Sequence, residues 1–174
     1  MPARNAATKT YDPSADTEWD ELATALNLWG VLHVAPGRPR TDVVRPGASE
    51  LFERLLRADD PRLRQAAVVL LLTHPHLAPA ARDAIDRLPA PEQAQAKRRY
   101  VAAAALQRMA RTRIELRLGA QRLIPPNYLE ELDVPSLEAE FGRVTLLVLS
   151  VQERDRWGYD AWGTYMNLLE HFLG

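Results

Sequence analysis

Residues 91–118 read PEQAQAKRRYVAAAALQRMARTRIELRL, and this stretch decides the fold class. Pro91 suits the first position of a helix and Gly119 suits the position just past its end, so the two together predict one helix over the whole stretch. At 1.5 Å per residue, such a helix extends about 42 Å. Apolar side chains cover most of its circumference and leave one polar stripe. We therefore expect other helices to pack on two sides of it.

The segments before and after this helix also carry helical patterns. Trp19, Leu22, Leu26 and Trp29 recur at steps of three and four residues, which predicts a first helix that begins at Thr17 and ends near Ala35. The loop is predicted at 36–47, and further helices at about 49–57, 61–73, 78–88, 128–132, 136–152 and from Asp160 to the end.

The apolar run within 141–151 could form either a buried strand or a helix. No clear partner strand is found elsewhere in the chain, so we interpret it as part of a helix that Ser136 caps. The predicted fold is all-α: a compact bundle of about six or seven helices around the long central helix at about 91–118. We expect one helical domain at 17–174, preceded by a disordered polar arm at 1–16.

The composition is typical of a globular protein. The chain has 174 residues, of which 47% are hydrophobic, and it contains no cysteine. The absence of cysteine excludes disulfides, thiolate metal sites and thiol nucleophiles. The longest apolar run is 66–72, and the N-terminus lacks the pattern of a signal peptide. We expect a cytoplasmic protein with no membrane partner.

The segment 55–67, LLRADDPRLRQAA, resembles the turn of a HEAT repeat. In that family an Asp-Pro turn joins two antiparallel helices and is followed by a basic residue and paired alanines. The resemblance implies that Asp60 and Pro61 cap the second helix, that Arg64 faces the groove, and that the alanines allow close helix packing. It covers about one repeat within 50–72. Because HEAT proteins are generally binding scaffolds, it implies a role in interaction.

No catalytic motif is found, so we do not expect an enzyme, a cofactor or a metal site. His74 and His76 are close in sequence, but a zinc site needs a third and usually a fourth ligand. We interpret the pair as polar groups at a helix end. An acidic patch could support acid–base chemistry or hold a metal, but we interpret it as solvated surface. It comprises Glu130, Glu131, Asp133, Glu138 and Glu140.

Basic residues concentrate between Lys97 and Arg122, where eight of them accompany a single acid, Glu115. Such asymmetry can mark a nucleic-acid interface, with Arg108 and Arg111 as the candidate contacts. The alternative is that the basic residues pair with the acids of 12–21 and 130–140, within the chain or across a dimer. We favour pairing, because the formal net charge of the whole chain is only −1.

Three aromatic residues near the C-terminus, Trp157, Tyr159 and Trp162, are candidate partner-binding residues. Together with Trp19 and Trp29 they could form a core cluster where the first and last helices meet, or a pocket for a small ligand. An exposed part of the cluster would suit a partner-binding hot spot, since Trp, Tyr and Arg dominate such sites.

The sequence therefore predicts a helical module that binds another protein or itself. It could be an adaptor, or a partner that masks an enzyme, as an antitoxin or immunity protein would. Nucleic-acid binding through 97–122 is the alternative, and a small-ligand domain with an aromatic pocket is the second alternative.

Overall fold

The computed structural model describes residues 13–32, 34–38, 40–138, 142–152 and 161–173, and all regular structure within them is helical. The prediction of an all-α fold is thus confirmed. The helices are α1 (Pro13–Leu28), α2 (Ala48–Arg57), α3 (Pro61–Thr73), α4 (Ala78–Arg87), α5 (Ala90–Met109), α6 (Arg111–Leu118), α7 (Arg143–Gln152) and α8 (Ala161–Leu173), with a 3-10 turn at Pro75–Leu77 between α3 and α4.

Helix α5 is the centre of the bundle, as its apolar circumference predicts. The four alanines at 102–105 are all fully buried, and Tyr100 and Leu106 are buried beside them. Because alanine is small, neighbouring helices can approach the α5 backbone closely on several sides. Helices α2, α3, α4, α7 and α8 all contact it.

The long helix predicted over 91–118 is interrupted at Ala110, so that prediction is wrong in its second half. Ala110 leaves helical geometry (φ −108°, ψ 21°), and α6 begins at the next residue. The break coincides with the docking of the returning chain against α5. The side-chain amide of Gln107 donates to the carbonyl of Arg122 (3.0 Å), and its oxygen accepts from the backbone N–H of Ile124 (2.7 Å). These contacts join residues that are far apart in the chain. No Gly or Pro is present at the break itself.

Two predictions for the chain after α6 are also wrong. Residues 128–132 form turns, not a helix, and Tyr128 (φ 69°) and Asp133 (φ 50°) both have left-handed backbone. Ser136 does not cap a helix, because its hydroxyl accepts from the nearby N–H of Glu138 (3.3 Å) and α7 begins only at Arg143. The apolar run that could have been a strand is helical from Arg143 onward.

The hairpin of α2 and α3 follows the sequence closely. The Asp60 carboxylate accepts a hydrogen bond from the backbone N–H of Arg62 (2.7 Å), which makes it the N-cap of α3, and Pro61 is the first helical residue. Arg64 donates to the carbonyls of Ala58 and Asp59 and thereby braces the turn. The cap and turn that the resemblance implies are therefore present in this hairpin.

Candidate interaction surface

Helix α1 differs from its prediction at both ends: it begins at Pro13 rather than at Thr17, and it ends at Leu28, before the predicted end near Ala35. The N–H of Gly30 donates to the carbonyl of Asn27 (2.9 Å), and the N–H of Val31 donates to that of Leu26 (3.0 Å). With Gly30 at φ 74° and both Val31 and Leu26 buried, this is a glycine C-cap stabilised by an apolar contact. It makes Trp29 the last residue before the chain turns. The sequence signal for this end was Gly30 followed by an apolar residue.

The loop that follows, 31–47, is attached to α1 near Asp20. The Asp20 carboxylate accepts hydrogen bonds from the backbone N–H groups of Gly37 (2.8 Å) and Arg38 (3.2 Å). The indole N–H of Trp19 donates to the carbonyl of Ala35 (3.4 Å). Side chains of the helix therefore satisfy backbone groups of the loop, which restricts its conformation.

A second attachment is ionic. Glu21 accepts hydrogen bonds from Arg40 of the loop (2.8 Å) and from Arg54 of α2 (3.0 Å), and Arg40 also pairs with Asp42. One carboxylate thus connects α1, the loop and α2. Because these side chains are only partly exposed, the network restricts the loop more than a fully exposed ion pair would.

Trp29 closes the loop at its other end. Its indole N–H donates to the carbonyl of Pro46 (3.3 Å), and the guanidinium of Arg45 lies over its ring, 3.7 Å from the centroid. Its backbone carbonyl accepts from Nε2 of His74 (2.6 Å), which fixes the proton on that nitrogen, since a carbonyl can only accept. The rings of Trp29 and His74 meet edge to face at 5.9 Å. Trp29 therefore joins α1, the loop and the end of α3.

Large apolar side chains project from this arrangement into solvent. Leu32 is 80% exposed, Val44 is 84% exposed and Leu28 is 45% exposed. Leu28 and Leu32 lie within three residues of Trp29 in the sequence. Val44 directly precedes Arg45 and Pro46, which contact Trp29. We call Leu28, Trp29, Leu32, Val44 and Arg45 the Trp29 surface, in which Trp29 itself is half-buried and packs against the core. Exposed apolar groups on a well-attached loop are typical of binding sites.

Trp157 and Tyr159 lie outside the described residues, and Trp162 is described only as part of α8. For the two N-terminal tryptophans, the structure shows contacts with the loop and with arginines. Trp19 lies beneath Arg62 (4.5 Å to the ring centroid), as Trp29 does beneath Arg45.

The two candidate arginines differ in their availability. The side chain of Arg108 is only 10% exposed, and it donates to the carbonyls of Ala104 and Ile124 (both 3.1 Å) and pairs with Glu138 (3.4 Å). Arg108 therefore connects α5 to the returning chain and is occupied within the fold. Arg111 is exposed and pairs with Glu115 one turn later (2.8 Å).

Other basic residues of 97–122 also have acidic partners. Lys97 pairs with Glu131 of the acidic patch, and Arg113 forms two hydrogen bonds to Glu170 of α8 (2.8 and 2.9 Å). Pairing with acids of 130–140 is thus observed. Among the acids of 12–21 whose side chains the structure describes, Glu21 forms ion pairs with Arg40 of the loop and Arg54 of α2 rather than with this segment.

Two tyrosines form a buried polar corner beside Lys97. The rings of Tyr100 and Tyr128 meet edge to face at 5.4 Å, and the Tyr100 hydroxyl donates to the carbonyl of Pro125 (3.2 Å) and accepts from Asn127 (3.0 Å). Burial raises the pKa of both tyrosines, so both hydroxyls are neutral at physiological pH. The contacts of this corner indicate that it holds the 125–133 turn against α5.

His74, His76 and an apolar cleft in the helical core are features of the described residues that could bind a metal or a small ligand. Among the described residues, no group of three His, Asp or Glu side chains is arranged to bind a metal, and the ring of His76 lies edge to face with that of His74 (5.7 Å). An apolar cleft between α2, α3, α4 and α5, floored by Phe52 and Tyr100, has room for about one water molecule.

Comparisons of the whole chain with known protein families, with curated proteins and with solved structures find no match in any of the three. Within the residues that the structure describes, none of the helices is both long and apolar enough to span a bilayer.

Proposed function

We propose that this protein is a helical interaction module that binds another protein through the Trp29 surface. The observation that carries the proposal is the exposure of Leu32 and Val44 on a loop that Asp20, Glu21 and Trp29 hold against α1. A loop that is already ordered loses little conformational entropy when it binds, so its apolar side chains contribute more of their burial free energy to affinity.

The chemistry of the surface supports the same role. Trp and Arg are enriched among residues that dominate binding free energy, and here Trp29 and Arg45 are in contact. Leu28, Leu32 and Val44, which are exposed, lie close to them in the sequence, and such aliphatic groups suit the desolvated centre of an interface. An adaptor and a masking partner would both use such a surface.

Nucleic-acid binding through 97–122 has less support. Arg108 is nearly buried, and Lys97, Arg111 and Arg113 each pair with an acid, so few of these charges are available to phosphates. The small-ligand alternative depends on an aromatic pocket whose Trp157 and Tyr159 lie outside the described residues, and the apolar cleft described above, which is a different site, has room for only about one water molecule.

The test compares proteins retained by tagged, nuclease-treated wild type and by the double variant Leu32→Ser/Val44→Ser. Leu116→Ser is the matched control, because Leu116 on α6 is equally exposed (83%) and far along the chain. Substitutions at such exposed sites should change the free energy of unfolding by no more than about 0.5 kcal/mol, so loss of binding would not reflect unfolding.

The proposal predicts a stoichiometric protein that wild type and Leu116→Ser retain and the double variant loses. If the retained protein is a second copy of the chain, light scattering will show a dimer that the double variant dissociates. Equal retention by all three proteins would refute the proposed surface.

A further inference from the structure

The acids around the Trp29 surface are already engaged within the fold. Asp20 accepts from two backbone N–H groups of the loop, Glu21 pairs with Arg40 and Arg54, and Asp42 pairs with Arg40. The Arg40 guanidinium lowers the pKa of Asp42, chiefly through their hydrogen bond, so this carboxylate remains charged and paired. These carboxylates are therefore not free to contact a cationic partner.

The arginines of the same loop are less engaged. The loop carries Arg38, Arg40 and Arg45 against the single acid Asp42, whereas the whole chain has a formal charge of −1. Within the described residues, the side chains of Arg38 and Arg45 form no ion pair with a carboxylate, and both residues are exposed. The guanidinium of Arg45 lies on the Trp29 ring through its face, and its N–H groups, which point along its plane, can still donate to a carboxylate.

We infer that the partner presents an acidic segment that also carries apolar side chains. This inference rests on the proposed function and specifies its partner. Carboxylates of the segment pair with Arg38 and Arg45, while its apolar side chains cover Leu32 and Val44. A planar guanidinium binds a carboxylate through two parallel hydrogen bonds, which fixes the orientation of the segment.

A protein segment fits this surface better than a nucleic acid does. Phosphates could pair with Arg38 and Arg45, but they would leave Leu32 and Val44 in water, and burial of those side chains favours binding. Binding to a nucleic acid would also be insensitive to removal of the two apolar groups. The two classes of partner therefore predict different mutational patterns.

The probe is a phage-displayed library of random peptides, selected on the immobilised full-length protein and sequenced. Wild type should enrich peptides with net negative charge and with aliphatic or aromatic residues. Arg38→Glu/Arg45→Glu should reverse the sign of the mean charge of the enriched peptides, because like charges at an interface repel. Arg38→Glu alone, which leaves the Arg45–Trp29 contact intact, should shift the mean charge in the same direction. Arg122→Glu, an exposed arginine outside the loop, is the charge-matched control and should leave the selection unchanged.

A second binding experiment tests the apolar side chains: it measures recovery of the wild-type peptides on Leu32→Ser/Val44→Ser, with Leu116→Ser as control. Recovery of the wild-type peptides should fall about tenfold or more on the double variant and remain unchanged on the control. In parallel, a labelled single-stranded DNA is titrated against every variant.

The outcomes separate the inference from the proposed function. Enriched peptides without an acidic bias, equally recovered on the arginine variants but lost on the leucine–valine variant, would overturn the acidic partner and leave the interaction surface standing. A single peptide set recovered equally on every variant, or no enrichment at all, would overturn both. DNA binding that requires the arginines and ignores Leu32 and Val44 would replace the protein partner by a nucleic acid.

Discussion

Gly142 lies where α7 meets the alanines of α5, and its replacement by Ala gives the sharpest test of that packing. Its backbone is left-handed (φ 85°), and an added Cβ would lie 2.9 Å from the carbonyl oxygen of Ala105 and 3.1 Å from its Cβ. Two costs therefore add. The left-handed backbone costs a side-chain-bearing residue about 1–2 kcal/mol, and forcing a methyl group into a packed interface costs about 1–3 kcal/mol.

Gly119 and Gly47 separate the two costs. Gly119 also has a positive φ (81°), with ψ at 177°, a conformation that almost only glycine adopts, but a Cβ there meets nothing within 4 Å, so Gly119→Ala should show a backbone cost without a steric clash. Gly47 has a φ of −60° and open space around it, but it is the N-cap of α2, where Gly is preferred over Ala; this cost opposes the gain through the unfolded state, so Gly47→Ala should change the free energy of unfolding by less than about 1 kcal/mol. We expect losses of about 2–5 kcal/mol for Gly142→Ala and about 1–3 kcal/mol for Gly119→Ala.

The assay is urea unfolding followed by far-ultraviolet circular dichroism, with the free energy extrapolated to water. Each kcal/mol corresponds to about 2–4 °C in Tm for a chain of this size, so calorimetry provides a second measure. If Gly142→Ala is no more destabilising than Gly119→Ala, α7 does not pack against the α5 backbone as described.

The remaining predictions also concern residues whose roles the structure distinguishes. Arg108→Ala should reduce the free energy of unfolding by about 1–3 kcal/mol, because two carbonyls lose a charged donor. Arg111→Ala should change the free energy of unfolding by less than about 0.5 kcal/mol, because its ion pair is exposed. Equal effects of the two substitutions in urea unfolding would contradict the different roles of Arg108 and Arg111. Burial would raise the pKa of Asp60, but hydrogen bonds from Arg62 outweigh burial and lower it. The ionic contribution of Asp60 is therefore present at neutral pH and lost as pH falls below about 4 through the lowered pKa. Asp60→Asn, which keeps the cap but cannot ionise, should be less stable than wild type at pH 7 and should approach it in acid; a stability difference that does not change with pH would refute the ionic role.

Structural features that depend on neighbouring residues could be predicted from the sequence, whereas contacts between distant segments could not. The Asp60-Pro61 cap and the bounds of α2, α3 and α4 were predicted correctly because each depends on a few adjacent residues. The break at Ala110 coincides with the docking of 121–126 against Gln107. No residue at the break predicts that the helix is interrupted there. Tertiary contacts of this kind override local propensity.

The candidate surface was only partly predictable. The spacing of Trp29 from Leu26 predicts that it belongs to a buried helical stripe, and in the structure it packs against the core but is only half-buried. The carboxyl end of α1 could have been located from Gly30 and Val31, which would have placed Trp29 at the helix end rather than within it. The exposure of Leu32 and Val44 depends on how Asp20 and Glu21 hold the loop, and that pairing spans about 20 residues.

The central claim is that a protein contacts the loop of the Trp29 surface, and crosslinking from single positions tests it most directly. A photo-reactive amino acid is placed at Val44 or, as control, at Leu116, in cells that produce the protein; both positions are more than four-fifths exposed. A discrete protein should be crosslinked from position 44, and the same protein should not be crosslinked from position 116. No crosslink from position 44, or the same products from both positions, would contradict it.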